Sequence, residues 1–139
     1  MASSSHLILF LLFVSVAVAA AASATDIDDN GWQSIPDRIL NSTLQDYGRK
    51  TIELYRDENY ADPLVFCQTM AAEVKKIGGE VCYKLVLYAR KPNDWYVRLP
   101  YEAIIFFPSG PSVNSIVLKS FHKLPNYTPK SPVHCPAIY

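Results

Sequence analysis

Leu64-Val65-Phe66-Cys67-Gln68-Thr69-Met70-Ala71-Ala72-Glu73-Val74-Lys75-Lys76-Ile77-Gly78-Gly79-Glu80-Val81-Cys82-Tyr83-Lys84-Leu85-Val86-Leu87 sets the architecture of this chain. The run opens in apolar alternation, turns at Lys75-Lys76-Ile77-Gly78-Gly79, and resumes at once with Val, Tyr and Leu. It reads as strand, Gly-ended turn, strand: a hairpin in which glycine supplies the backbone conformations a tight turn needs. Downstream, Trp95 to Phe107 and the shorter run Ser115 to Phe121 are rich in β-branched and aromatic residues and predict two further strands. Pro92-Asn93-Asp94 marks a turn before them. Pro100 interrupts the longer run and predicts a bulge or a sheet edge there, because proline cannot donate to a ladder.

Upstream lies one amphipathic segment. From Ser42, the positions Leu44, Tyr47, Thr51, Leu54 and Tyr55 recur at spacings of three and four, with charged residues largely between them. Ser42 with Gln45 three residues on predicts a capping box. Gly48 costs about 1 kcal/mol relative to alanine inside a helix, which predicts that this turn lies close against a flat surface. One helix followed by strands joined in sequence gives an α+β class, with the helix packed across one face of a four- to five-stranded antiparallel sheet.

Leu7 to Val18 is almost wholly apolar and is followed by small residues ending Ala22-Ser23-Ala24, the pattern of a secretory signal. Residues 1–24 are therefore expected to be a leader, 25–124 a single domain and 125–139 a proline-rich tail. Cleavage after Ala24 leaves 139 − 24 = 115 residues, enough for one core. All 13 basic and 13 acidic side chains fall in that part, and the balance favours neither nucleic acid nor an anionic membrane as partner.

Three cysteines allow at most one intrachain bridge. A turn centred near Ile77 sets Cys67 opposite position 87 and Cys82 opposite position 72, too far apart to bridge, which leaves Cys135 on the tail as the mobile partner. Asn41-Ser42-Thr43 and Asn126-Tyr127-Thr128 have the form of glycosylation acceptors. Six of the ten prolines lie between Pro108 and Pro136, and the tail reads as a disordered extension. His122, His134 and Cys135 follow no zinc or nucleophile spacing, and Asp26, Asp28 and Asp29 lack the glycine and glutamate of a calcium loop. No catalytic residue, metal or cofactor is expected.

Over Gly31 to Leu124 the chain resembles the cystatins, the plant members in particular. Gly31-Trp32-Gln33-Ser34-Ile35 is similar to the family's Gly-Trp-x-Pro-Ile opening. Leu44-Gln45-Asp46-Tyr47-Gly48-Arg49-Lys50-Thr51-Ile52-Glu53-Leu54-Tyr55 parallels its helix signature, with Lys50, Thr51 and Arg56 in place of the usual Phe, Ala and Asn. Leu64-Val65-Phe66, Tyr83 to Leu87, Tyr101 to Ile105 and Leu118-Lys119-Ser120-Phe121 match strand segments in order and spacing.

The resemblance implies a secreted, monomeric inhibitor that fills the cleft of a papain-like cysteine protease with a wedge of three segments, outside the cell or in a vacuole. Carried over, these are Gly31; the first hairpin Lys75, Lys76, Ile77, Gly78 and Gly79, where the family has Gln-x-Val-x-Gly; and a second loop where the family has Pro-Trp. There the chain offers Phe107, Pro108, Pro111 and Ser112, with no tryptophan. Two lysines in the first hairpin imply weaker or narrower binding. The alternative is a binding protein of the same fold whose partner is something else.

Overall fold

The computed structural model describes residues 31–36 and 41–136, and divides the chain into one unit ending at Ser34 and another beginning at Ile35. The expected leader and its cleavage point, with Asp26, Asp28 and Asp29, lie outside the described residues. In the first unit, Gly31 has φ 80° and precedes a short extended segment, β1 (Gln33–Ser34).

The second unit carries α1 (Ser42–Glu58), β2 (Val65–Ile77), β3 (Glu80–Arg90), β4 (Arg98–Phe107) and β5 (Val117–Lys123), the four strands paired antiparallel in sequence order. The helix lies across one face. Leu44, Tyr47, Gly48, Thr51 and Ile52 are its buried residues, and Leu44, Tyr47 and Ile52 share one core with Leu85, Leu87, Ala89, Tyr101, Ala103, Ile105 and Phe107 of the sheet. This is the α+β arrangement that the sequence predicts. Among the described residues no helix is long and apolar enough to cross a membrane.

The start of α1 differs from the expected capping box. Asn41 is the N-cap, its side chain accepting from the backbone N–H groups of Thr43 (3.0 Å) and Leu44 (3.3 Å). Asn41 and Asn126, which open the two triplets of acceptor form, are both exposed. Gln45 does not reach back to the cap; its amide turns to the sheet, donating to Thr69 O (3.0 Å) and accepting from Thr69 N (2.9 Å). One side chain thus mimics a strand residue and satisfies β2 where it would otherwise offer free groups for pairing. Gln45→Ala is expected to lower stability by about 2 kcal/mol, the cost of leaving partly buried backbone groups without partners, measured as a shift in urea midpoint. Close approach at Gly48 agrees with its reading: an added Cβ would lie 2.8 Å from Phe66 Cε2 and nearer still to Thr69 Oγ1.

The hairpin register also departs from expectation. Ile77 pairs with Glu80, so the turn is Gly78-Gly79 alone, with φ of 57° and 84°, and Cys82 lies opposite Lys75 rather than position 72. Two left-handed residues in a two-residue loop match the right-handed twist of the flanking strands. Register shifts between Phe66 and Gln68 and between Thr69 and Ala71 skip Cys67 and Met70. Each bulge adds one residue to β2; the neighbours Phe66 and Cys67 are both buried because Phe66 faces the core under the helix and Cys67 a second cluster on the other face. At Pro100 the β3 register continues through Tyr88 without a bulge; the irregularity falls instead in β5, where Lys119 is skipped between the partners of Ile104 and Ile105. Pairing with β5 begins only at Tyr101, so proline sits where one fewer donor is needed.

The tail is not a loose extension. Cys135 forms a disulfide with Cys67, and Tyr127, Val133 and Cys135 cover Cys67, Met70 and Tyr88 on the face opposite the helix. Arg98 Nη1 donates to Val133 O, and His134 N donates to Gln68 Oε1 at 3.0 Å. Cys82 is buried and free.

Candidate functional site

A meander of antiparallel strands returns every second connection to the same end of the sheet. The β2–β3 turn and the β4–β5 loop therefore project from one end, with β3 between them. Val81 fixes their relative height, pairing with Lys76 on one side and Phe107 on the other. Glu80 and the Gly78-Gly79 turn extend beyond that level, so the first hairpin stands slightly proud of the base of the second loop.

The two loops present different chemistry. At the first, Lys76 through Glu80 are exposed, and Ile77 keeps 49% of its surface in solvent. Lys75 is half-buried on the strand opposite Cys82. At the second, Pro108, Ser109, Gly110, Pro111 and Ser112 are exposed. This loop is held by its own bonds: Ser115 Oγ donates to the carbonyls of Gly110 and Ser112, both at 2.9 Å, and Ser115 N donates to Ser112 O. Gly110 has φ 98°, a conformation open to glycine, and buried Ile116 anchors the return into β5. A loop ordered in advance loses little freedom when it docks.

Phe107 is absent from the presented surface. At 3% exposure it packs beneath the loop against Tyr47 (centroids 5.0 Å) and edge-on to Tyr83 (5.7 Å), which in turn meets Tyr47 at 5.4 Å. Its position follows the alternation of Tyr101, Ala103, Ile105 and Phe107 toward the helix. Burial raises the phenol pKa of both tyrosines, and Tyr83 adds to the effect at Tyr47, so the cluster is uncharged at neutral pH. Phe107 thus supports the second loop from below and leaves its proline- and serine-containing tip exposed. Phe106 points to the other face, half-buried, with Lys119 Nζ 4.7 Å above its ring.

Of the other residues weighed for chemistry, His122 is a surface residue of β5 that faces Glu102, Nε2 to Oε1 3.5 Å. Gly31 belongs to the first unit. Among the described residues no cluster of three His, Cys, Asp or Glu side chains is arranged to hold a metal. Tyr47 and Tyr83, which fix Phe107, carried no signal of a supporting role in the sequence beyond their apolar spacing.

Comparison of the chain with family models, with curated proteins and with solved structures finds no match.

Proposed function

We propose that the protein is a secreted inhibitor of papain-like cysteine proteases that fills the catalytic cleft reversibly, as its resemblance to the cystatins implies. The observation that carries this reading is the pair of preformed loops at one end of the sheet: the exposed Ile77-Gly78-Gly79 tip beside the self-bonded Pro108 to Ser112 segment. Backbone and apolar tips of that kind can enter a narrow cleft without presenting a cleavable bond in register. Gly31 enters the proposal on resemblance alone, as does export by the leader.

The lysines shape the expected specificity. A lysine forced into an apolar cleft must be paired or must keep its ammonium in water, and its long stem lets it reach the rim. Lys75 and Lys76 therefore favour proteases with acidic cleft margins. Replacing Lys75 by Gln and Lys76 by Val is expected to lower inhibition constants and to reduce their salt dependence; constants unchanged across several proteases would count against this account. Ile77→Asp brings an unpaired charge to the tip and is expected to weaken inhibition about thirtyfold, roughly 2 kcal/mol.

The deciding experiment is titration of residues 25–139 into active-site-quantified papain-like proteases with a fluorogenic substrate. Reversible inhibition that weakens in Ile77→Asp supports the wedge. Absence of inhibition by the folded protein would reject it and leave the second reading, a binding protein of this fold, which the tryptophan-free second loop favours.

A further inference from the structure

At the other end of the sheet, Arg90 closes β3 with only 1% of its surface exposed. Its Nη1 donates to Lys91 O (3.0 Å) and Pro92 O (3.2 Å), while Nε and Nη2 are buried without a hydrogen-bond partner. These two donors share one edge of the guanidinium. Side by side and coplanar, they form the fork that receives both oxygens of a carboxylate. Arginine does not lose its charge in a protein, so the unmatched edge is a standing demand for an anion.

The surroundings say what kind of molecule carries it. The guanidinium lies 4.0 Å from the centroid of Trp95, a ring 47% exposed, and the adjoining Tyr96 and Val97 are 96% and 49% exposed. Lys91 pairs with Asp62, tying this loop to the one after the helix, where Tyr60 is 86% exposed. Four of the six large exposed hydrophobic side chains among the described residues thus lie on these two connections. Asp94 offers its carboxylate to the backbone N–H groups of Tyr96 and Val97, both at 3.1 Å, rather than to Arg90.

We propose that this end is a second binding site, for a protein partner that inserts a Glu or Asp side chain flanked by apolar residues beneath Trp95. The carboxylate bridges Nε and Nη2 of Arg90, Trp95 moves aside as a lid, and the flanking apolar residues cover Tyr96, Val97 and Tyr60. A free organic acid would supply the carboxylate but nothing for the aromatic rim. The site is independent of the loops at the opposite end, so its occupancy leaves any protease inhibition unchanged.

The test is NMR of the Arg90 Nε–H signal, with Trp95 emission as a second readout, on titrating the full domain with three probes: a capped Leu-Glu-Leu peptide, its Leu-Gln-Leu counterpart and glutarate. The Glu peptide is expected to shift the Arg90 Nε–H resonance downfield and to saturate. The Gln peptide and glutarate should bind at least tenfold more weakly, and Arg90→Lys, which keeps the charge but not the fork, should lose the response. Trp95→Ala, which removes the ring over Arg90 and part of the apolar rim, should retain carboxylate preference with lower affinity. No shift with the Glu peptide, or an equal shift with Gln, overturns the proposal. Equal binding of glutarate overturns the assignment to a protein partner.

Discussion

Cys135→Ala lowers the stability of the domain by about 3 to 4 kcal/mol. The bridge to Cys67 spans 68 residues, and closing a loop of that length removes chain entropy from the unfolded state worth about 4 kcal/mol at room temperature. For a domain near 100 residues this corresponds to a fall in Tm of roughly 15 °C. The effect is expected in urea unfolding under oxidising conditions, and the reduced parent should resemble the variant. Bridge exchange cannot rescue it. Cys82 lies opposite Lys75, some eight residues along β2 from Cys67, about 26 Å at strand spacing. The variant should also free the tail, since the Arg98 to Val133 and His134 to Gln68 contacts are single hydrogen bonds that the bridge holds in place. Faster amide exchange at His134 and cleavage by trypsin after Lys130 are the expected signs. A variant as stable as the parent, with His134 still protected, would mean that packing of Tyr127 and Val133 alone fixes the tail.

That tail marks where the sequence was hardest to read. Its prolines forbid regular structure, and an irregular segment without periodicity looks the same whether it is solvated or docked. Only the leftover cysteine pointed to attachment, and only a three-dimensional neighbour could choose between Cys67 and Cys82. The hairpin was legible in kind because Gly-Gly between two apolar runs admits few alternatives. Its register was not, since bulges at Cys67 and Met70 leave no mark in a run where Gln68 and Thr69 already interrupt the apolar alternation. Trp95, Tyr96 and Val97 have strand-forming side chains but belong to the loop, because the Asp94 carboxylate captures the N–H groups of Tyr96 and Val97 before β4 begins. That is local turn chemistry prevailing over β propensity.

Sequence predicts where the two loops lie, while the structure moves one residue of the candidate site, Phe107, from the presented surface to the core. Strand order alone puts the two loops at one end of the sheet, and the Gly78-Gly79 tip follows from composition. Phe107-Pro108 is one of two candidates for the apolar tip, and counting by twos from Tyr101 carries Phe107 into the core. The same count leaves Phe106 on the opposite face. Arg90 could not be found this way at all. A charged residue at a strand end is ordinarily solvated, and its burial depends on Trp95 folding back from the adjoining turn.

Gly48→Ala should destabilise the protein by about 2 to 3 kcal/mol, although alanine is the better helix former by about 1 kcal/mol. The added methyl meets Thr69 Oγ1 and Phe66 at distances that ordinary side chains do not tolerate. Neither neighbour can retreat easily. Thr69 Oγ1 donates to Leu44 O at 3.0 Å, the Thr69 backbone is gripped by Gln45, and Phe66 is 8% exposed with Arg49 over its ring. The helix must lift from β2, and overpacking of this kind typically costs about 1 to 3 kcal/mol, sometimes more. A double-mutant cycle with Thr69→Ala isolates the clash: removing Oγ1 should recover part of the loss, giving a coupling of about 1 kcal/mol or more between the two sites. The consequence reaches the loops. Tyr47, one residue before Gly48, is the helix residue that holds Phe107 beneath the second loop, so lifting this turn loosens the support of Pro108 to Ser112. Gly48→Ala should therefore weaken any protease inhibition at temperatures where the variant remains folded, and Thr69→Ala should restore it in step with stability. Inhibition that stays constant while stability falls would separate the second loop from the helix and place the binding energy in the first hairpin alone.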